Sequence, residues 1–340
     1  MINGSRMLPF KLVYSDAYYL PIGSHVFPAE KYRRVRDRLI AAGVAEASDF
    51  IEPQPATDQD VLLVHKPDYV EKLRNGTLNP REEMEMEVPY SRELVNAFWL
   101  AAGGSILAAR LSLIDGVCIS IGGGFHHAFP DHGEGFCMIH DVAVAIRRLQ
   151  RDDKIHTAMT VDCDVHQGNG TAAIFAGTRM ASALLPSSSV STVQAPGNVP
   201  PGKMRGAHAG DVFTISLHQH NNYPLWKPPS SIDVDLPDGT GDDDYLAWLD
   251  NALSSGLRQF EPDLICYIAG ADPYKEDQLG GLNLTIAGLK KRDELVFRVA
   301  RARSIPIMVT YAGGYAQDVE DTVAIHTNTV VAAKEVFAAK

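Results

Sequence analysis

Histidines, aspartates and a tyrosine follow four short apolar stretches of this 340-residue chain. Stretches of this kind, rich in β-branched residues, are typical of strands that a parallel sheet buries on both faces. Open α/β sheets bind ligands outside the carboxyl ends of their strands, where side chains from several strands meet. The sequence therefore predicts one reactive site at a single sheet edge, formed by 122–128 (GGGFHHA), 162–170 (DCDVHQGNG), 269–272 (AGAD) and 311–315 (YAGGY).

Three of these side chains form a candidate set of metal ligands. Asp164 and His166 are two residues apart, so in an extended segment both side chains point the same way. Asp272, from a neighbouring strand, supplies a third ligand and leaves a coordination position open, as in catalytic metal sites. Two carboxylates with one imidazole suit Zn²⁺ or Fe²⁺ and admit Mn²⁺. Taken alone, Asp164 and His166 could instead be a turn cap and a core histidine, but the four clusters together favour metal ligands.

A pair of adjacent histidines, His126 and His127, suits general acid–base chemistry because imidazole titrates near neutral pH. Asp162 could orient one of them and stabilise its charge. Tyr315 follows two glycines that allow close approach of the backbone, and its hydroxyl could polarise a carbonyl. A phosphate loop is excluded at the glycine-rich turn, because the third glycine of a G-x-G-x-x-G pattern would fall at His127.

The charge of the chain limits its partners. Lys and Arg number 31 and Asp and Glu number 42, which gives a formal net charge of −11. Such a surface repels phosphate backbones, so nucleic acid is not expected as a direct partner. Four glutamates precede a predicted helix, either as a solvated loop or as a rim that holds a cationic substrate: Glu82, Glu83, Glu85 and Glu87.

The sequence carries no mark of export or of membrane insertion. The first ten residues lack a cationic start followed by an apolar stretch, and no apolar run approaches the ~18 residues of a membrane span. The four cysteines form no C-x-x-C pair and three of them lie among apolar residues, as expected of reduced core thiols. We therefore expect a cytoplasmic protein, or a nuclear one if the source is eukaryotic.

Apolar runs alternate with amphipathic stretches along the chain, which predicts one α/β domain over residues 1–340. Its sheet is expected to be mostly parallel, with helices on both faces. The predicted strands are 117–121, 157–161, 213–217, 264–268 and 305–309. The predicted helices are 28–42, 92–111, 141–150, 243–260, 286–303 and 321–339. Residues 178–210, rich in Ser, Pro and Gly and without an acidic residue, predict an irregular insertion.

The motifs together resemble the zinc-dependent histone deacetylase superfamily. The resemblance runs from about residue 64 to residue 315, and it is specific because four motifs follow one another in the same order. The segments 133–137 (GEGFC), 166–170 (HQGNG) and 312–315 (AGGY) are most similar to class IV enzymes and their bacterial relatives. The resemblance implies the arginase–deacetylase fold, an α/β fold that agrees with the alternation described above.

The resemblance also implies a role for each site residue. The zinc ligands would be Asp164, His166 and Asp272. The acid–base groups would be His126, His127 and, behind His126, Asp162. Tyr315 would hydrogen-bond the amide oxygen of the substrate, and the acyl-lysine tunnel would be lined by Gly135, Phe136 and Gly313. A structural potassium ion would lie near Asp162, Asp164, His166, Ser216 and Leu217.

One departure from the family pattern and one difference from its sibling family refine this picture. Asn169 stands where many members carry an aspartate behind the second histidine, so we expect His127 to be less basic here. Class IV members share this asparagine. Arginase-type relatives bind two manganese ions with further carboxylates, which this chain replaces with Gly168 and Tyr274. The sequence therefore predicts a mononuclear site.

The predicted activity is metal-dependent hydrolysis of an acyl amide, acetyl or longer, on the lysine-like amine of a protein. An acetylpolyamine or another small acylated amine is the alternative substrate, and the acidic run would suit it. A non-catalytic acyl-lysine-binding protein is a further alternative. The presence of every metal ligand, both histidines and Tyr315 disfavours that alternative.

Overall fold

Nine β-strands form one sheet in the computed structural model, which describes residues 7–182, 203–205 and 210–338. In chain order the strands are β1 (Leu12–Val13), β2 (Phe50–Ile51), β3 (Val117–Ser120), β4 (Ala158–Asp162), β5 (Lys203–Arg205), β6 (Val212–Gln219), β7 (Ile232–Leu236), β8 (Leu264–Ile268) and β9 (Ile307–Thr310). Their order across the sheet is β2-β1-β3-β9-β8-β4-β6-β7-β5. Eight strands are parallel, and β5 pairs antiparallel with β7 at one edge.

Ten α-helices accompany these strands in the described ranges. They are α1 (Lys31–Ala41), α2 (Asp58–Val61), α3 (Pro67–Asn75), α4 (Pro80–Met86), α5 (Arg92–Asp115), α6 (Asp141–Arg151), α7 (Asn169–Ser182), α8 (Asp242–Gln259), α9 (Ile286–Ala302) and α10 (Val319–Ala338). Alternate side chains of a strand point to opposite faces. On one face the Tyr267 hydroxyl of β8 donates to Asp293 of α9 at 2.5 Å. On the other, Ser120 of β3 lies against Gly104 of α5, so helices cover both faces.

The longest helix, α5, is long and apolar enough to cross a membrane, but 72% of its apolar window is buried inside the protein. Its N-terminus is capped by the Ser91 hydroxyl, which accepts from the Leu94 amide at 3.0 Å, and it ends at Gly116 in the left-handed region. A helix buried on several sides has no reason to confine its apolar residues to one stripe. The sequence analysis had found no stretch apolar enough to span a membrane and so missed this property of α5. Because α5 is mostly buried, it is a core helix of the domain.

The predicted strands and helices are confirmed, with ends that differ by at most four residues from the observed ones. The mostly parallel sheet with helices on both faces is confirmed as well. The sequence reasoning missed the two-residue strands β1 and β2, the strand β7 and four helices, α2, α3, α4 and α7. The strands β1 and β2 and the helices α2 and α4 are short, and α7 overlaps a loop motif, so their periodicity is weak. The strand β7 (IDVDL), which alternates apolar residues with aspartates, and the nine-residue helix α3 carry recognisable patterns.

The insertion predicted at 178–210 is regular in two places. Helix α7 continues to Ser182, and β5 occupies Lys203–Arg205. The prediction of irregular structure is therefore wrong for these two parts. The free edge of β7 supplies hydrogen-bond partners to β5 that no sequence period reveals. Residues 183–202 and 206–209 lie outside the described residues.

The four strands that precede the reactive side chains are direct neighbours in the sheet, in the order β3-β9-β8-β4. They are parallel and in register at their last residues, so that Thr310 pairs with both Ser120 and Ile268, and Asp162 pairs with Ile268. Their carboxyl ends therefore lie side by side, and the segments that follow them meet at one edge, as predicted.

Candidate active site

Three buried side chains form a compact cluster at this edge. One potential ligand atom each from Asp164, His166 and Asp272 lies within 4.8 Å of the other two. His166 Nδ1 is 3.1 Å from Asp164 Oδ1 and 3.4 Å from Asp272 Oδ2. Asp164 and His166 follow β4, and Asp272 follows β8, the next strand in the sheet. The structure thus brings together the three residues that the sequence predicted as metal ligands.

The cluster fits a cation. Asp272 Oδ2 is buried and accepts no hydrogen bond within the described residues, although buried carboxylate oxygens are rarely left without a partner. Burial, and then the nearby Asp164 carboxylate, raise the pKa of Asp272 to about 7. A Cβ on Gly313 would lie 1.9 Å from Asp272 Oδ2, so only glycine leaves this space beside the carboxylates. A buried pair of carboxylates with a free oxygen is the arrangement that a bound metal ion would stabilise.

Backbone amides hold the remaining carboxylate oxygens. Asp272 Oδ1 accepts from the Val165 amide, and Asp164 Oδ2 accepts from the Gly313 amide, each at 2.9 Å. Each carboxylate is thereby fixed by a segment that follows a different strand. The geometry of the cluster therefore depends on the sheet rather than on a single loop.

His126 is paired with a carboxylate. Its Nδ1 lies 2.7 Å from Asp162 Oδ2, and both side chains are buried. Burial alone would lower the pKa of His126, but the Asp162 and Asp164 carboxylates outweigh it and raise that pKa to about 9. Asp162 thus lies behind His126, where the resemblance had placed it.

His127 is paired with an amide instead. Its Nδ1 lies 2.7 Å from Asn169 Oδ1, and its ring centroid is 4.1 Å from that of His126. Burial, together with the charges of His126 and His166, lowers the pKa of His127 well below its ordinary value. The two neighbouring histidines therefore prefer opposite charge states, as a pair that divides acid and base roles requires.

The turn that carries the two histidines is anchored by Asp141, the first residue of α6. Its carboxylate accepts from the Phe125 amide at 2.8 Å and from the Gly124 amide at 3.0 Å, and the Ser105 hydroxyl donates to it at 2.5 Å. These hydrogen bonds satisfy the backbone donors of a buried turn and fix its course.

Tyr315 and Phe136 face one another across a narrow cavity that reaches the cluster. Their ring centroids are 6.0 Å apart, and Phe27 lies 6.0 Å from Tyr315 on another side. Phe136 has a φ of 67°, a strained value for a residue with a side chain, and its amide donates to Met86 at 3.0 Å. Burial, and then the Asp272 and Asp164 charges, raise the pKa of Tyr315 well above its ordinary value. Its hydroxyl is therefore a neutral hydrogen-bond donor.

Comparison with known proteins identifies the family. A family model described as Histone deacetylase domain matches residues 25–330. The chain belongs to the histone deacetylase family. It is 36% identical to an uncharacterized protein from Picosynechococcus sp., over 96% of this chain and 99% of that protein. It is 30% identical to Histone deacetylase 2 from Arabidopsis thaliana, over 89% of this chain and 74% of that protein.

Other matches agree with this assignment. The deacetylase is 30% identical to a probable deacetylase from Methanothermobacter thermautotrophicus, over 79% of this chain and 75% of that protein. Its fold matches the crystal structure of an HDAC homologue from Aquifex aeolicus with a TM-score of 0.72 at 22% identity, over 97% of this chain and 84% of that one. The arginase–deacetylase fold and the deacetylase activity implied by the motifs are thereby confirmed, and a non-catalytic binding protein is not favoured.

The sequence analysis missed Tyr223, which forms part of the deacetylase site. Its ring lies 5.0 Å from His127 and 6.1 Å from His166, edge to face. Gly135, with a φ of 53°, makes room for it, since a Cβ there would lie 2.7 Å from His127 Cδ2 and 3.0 Å from Tyr223 Cε1. Tyr223 follows the carboxyl end of β6, so the rule that found the other strand-end residues could have found it.

Lys31 is a second residue that the sequence did not reveal. It is fully buried, and its Nζ donates to the carbonyl of Ala312 at 2.6 Å, directly before Gly313. Burial lowers the pKa of Lys31 to about 8. The helical period of α1 correctly predicts its apolar face, but nothing in that pattern marks one lysine among several basic neighbours as buried.

The acidic run is not the solvated loop that the sequence offered as one alternative. Three of its four residues lie in helix α4, where Glu82 caps the helix and pairs with Lys72 at 2.5 Å. Glu87 follows the helix, and its carbonyl accepts from His25, whose ring lies 4.7 Å from that of Phe136. Partial burial, and then the Glu134 charge, raise the pKa of Glu87. Only Glu87 of the four glutamates is therefore close to the site.

Proposed function

We propose that this deacetylase removes acetyl or longer acyl groups from lysine side chains at a single Zn²⁺ ion. The main support is the convergence of the Asp164–His166–Asp272 cluster, the two histidines and Tyr315 on one narrow cavity. The family supplies the reaction class, hydrolysis of an amide. Our proposal adds the identity of the metal ion and the identity of the amine that carries the acyl group.

Asp164, His166 and Asp272 would hold the ion. One imidazole nitrogen with two carboxylate oxygens is a donor set that Zn²⁺ takes in catalytic sites, and Fe²⁺ fits it too. When bound, such an ion acts as a Lewis acid toward the carbonyl oxygen and lowers the pKa of a bound water. Gly168 and Tyr274 stand where a second metal would need carboxylates, which supports one ion per site.

The other side chains supply proton transfer and charge stabilisation. Asn169 accepts from His127 Nδ1, so Nε2 is the atom at which the neutral ring can accept a proton from the attacking water. The leaving amine must gain a proton as the C–N bond breaks, and the protonated histidine pair can donate it. The neutral Tyr315 hydroxyl is suited to donate a hydrogen bond to the substrate oxygen as negative charge develops there.

The cavity walls support a long, unbranched acyl-amine chain as the substrate. The rings of Phe27, Phe136 and Tyr315 line the narrow passage, and aromatic walls of this kind favour a slender apolar chain such as the methylene chain of lysine. The acidic groups Glu87 and Glu134 favour a substrate with positive charge beyond the amide. A basic peptide bearing an acyl-lysine meets this description, and an acetylpolyamine is the alternative that the same two glutamates support.

A substrate panel tests the proposal. Acetyl-lysine peptide, long-chain acyl-lysine peptide and acetylpolyamine are each incubated with purified protein, with chelator, and with chelator followed by Zn²⁺. Tyr315→Phe protein, purified in the same way, controls for contaminating deacylases. We expect peptide turnover that chelation abolishes and Zn²⁺ restores. Faster turnover of acetylpolyamine would assign the alternative substrate, and absence of turnover on all three would contradict the proposed function.

A structural K⁺ ion near the site is a further part of the proposal. Asp162 and Ser216 are register partners on β4 and β6, which supports a shared site that also includes Asp164, His166 and the backbone of Leu217. A higher Tm in potassium chloride than in choline chloride is the expected result, and equal values would contradict it.

The subclass and the cellular location are also proposed. The asparagine at position 169 supports a relationship to class IV enzymes. Four free, buried cysteines support a cytoplasmic location.

A further inference from the structure

Glu134 joins several groups of the active site, although the proposed proton transfers and charge stabilisation assign it no role. Its Oε1 accepts from the Asn169 side-chain amide at 2.9 Å and from the Tyr223 hydroxyl at 2.6 Å. His132 Nε2 lies 3.6 Å from its other oxygen. Half-burial alone would raise the pKa of Glu134, but these hydrogen bonds keep it below its ordinary value. The residue is therefore an ionised carboxylate shared between two neighbours of His127.

The oxygen and the nitrogen of the Asn169 side-chain amide have different partners. Its Oδ1 accepts from His127 Nδ1 at 2.7 Å and from the Gly170 amide at 3.0 Å, and its Nδ2 donates to Glu134. A rotated amide would aim its NH₂ group at His127 and its oxygen at the Glu134 carboxylate, which can only accept. The carboxylate therefore strengthens the one amide orientation that keeps the proton on Nδ1 of His127.

We propose that Glu134 is a positioning residue for the hydrolysis, which acts on His127 through Asn169 and holds Tyr223 against the same ring. The inference rests on the proposed base role of His127. It also explains how an asparagine can stand where many family members carry an aspartate. Here the negative charge lies on Glu134, one side chain further from His127. It acts on the ring through the charge-assisted hydrogen bond between Glu134 and Asn169.

A purely structural role for Glu134 makes a different prediction. Its backbone amide donates to the Cys137 carbonyl at 3.1 Å, so the residue also belongs to the turn that carries Gly135 and Phe136. Loss of that turn would lower the Tm and raise KM, whatever residue occupies position 169. A positioning role instead makes the effect of Glu134 depend on Asn169, because the two side chains act as one unit.

A double-mutant cycle separates these roles. Glu134→Gln should lower kcat by about tenfold through loss of a charge-assisted hydrogen bond, with a smaller change in KM. Asn169→Asp should also lower kcat, because it sets two carboxylates against one another. The double variant Glu134→Gln/Asn169→Asp should be more active than Asn169→Asp alone, since a glutamine can donate to the new carboxylate. Glu134→Gln should thus lower kcat in the wild-type background and raise it in the Asn169→Asp background.

The controls keep the inference distinct from the proposed function. Wild-type turnover in the same assay tests the function itself, whereas the sign of the Glu134→Gln effect tests the inference. Glu71→Gln, at an exposed glutamate of α3, controls for loss of one charge. Tm and metal content are measured for every variant. Equal kcat losses from Glu134→Gln in both backgrounds would overturn the inference. If Glu134→Gln does not fold, a kcat of Asn169→Asp at or above the wild-type value would overturn it.

Discussion

His126 and Asp162 form a buried ion pair in which Nδ1 and Oδ2 are 2.7 Å apart. The other oxygen of the carboxylate accepts from the Asp164 amide at 3.1 Å. One side chain therefore connects the histidine pair to the loop that carries two of the proposed metal ligands. The orientation of Asp162 sets the position of both.

Asp162→Asn separates these two functions. The new side-chain oxygen can still accept from the Asp164 amide, so the metal-ligand loop should stay in place. The new NH₂ group cannot accept the Nδ1 proton of His126, so the ring loses its partner and its preference for the charged form. We expect kcat to fall by about 10²–10⁴, the range of a general acid–base group, while metal content stays near that of wild type. Mass spectrometry and steady-state kinetics measure both.

The control for this variant is Asp243→Asn, which removes an exposed carboxylate at the start of α8. It should leave kcat close to wild type. Normal kcat in Asp162→Asn would show that the ion pair is not needed for the reaction. Loss of metal as well as of activity would show that Asp162 acts chiefly on the ligand loop.

Removal of any one metal ligand should abolish both metal binding and activity. Asp164→Ala, His166→Ala and Asp272→Ala each leave two of the three donors, and catalytic zinc sites ordinarily need three. We expect about one zinc equivalent per chain in wild-type protein by native mass spectrometry. Each variant should bind much less. Two equivalents in wild type would contradict the mononuclear site.

Tyr315→Phe removes one hydroxyl from the cavity and keeps the ring that packs on Phe27 and Phe136. Loss of one oxyanion donor typically lowers kcat by ~10²–10³. The metal ligands are untouched, so metal content should stay near the wild-type level. Turnover at the wild-type rate would remove Tyr315 from the proposed mechanism.

The motifs predicted that the Asp–His–Asp cluster and the histidine pair lie together, because each follows directly after a strand and parallel strands bring such segments together. Within the 162–166 loop the spacing of two residues was sufficient to place Asp164 and His166 on one side. The strands themselves were recognisable as runs of about five residues rich in apolar and β-branched side chains. The two-residue strands β1 and β2 leave no comparable period.

The supporting residues could not be predicted in the same way. Glu134 and Asn169 are 35 positions apart, and Lys31 and Ala312 are 281 apart, yet each pair is hydrogen-bonded. Such contacts depend on how helices and loops pack over the sheet edge, which neither spacing nor periodicity encodes. The irregular composition of 178–210 likewise concealed the end of α7 and the pairing of β5 with β7.

Because Lys31 is buried, we expect the free energy of unfolding to change with pH in the alkaline range. Burial lowers its pKa from 10.5 to about 8. Below pH 8 the lysine is charged in both the folded and the unfolded chain, so the cost of burying the charge is fully present. Between pH 8 and 10.5 only the unfolded chain keeps the proton, so the free energy of unfolding rises with pH.

Lys31→Met removes this dependence. The free energy of unfolding of wild type, relative to the variant, should increase on the order of 3 kcal/mol across that interval, because each pKa unit corresponds to about 1.4 kcal/mol. Urea unfolding of both proteins at matched pH values measures the difference, and tyrosines and cysteines that titrate in the same range cancel in it. Lys154→Met, at an exposed lysine, is the matched control for the lost charge. A stability difference that does not change with pH would show that Lys31 keeps its proton in the folded protein, held by the Ala312 carbonyl and the nearby carboxylates.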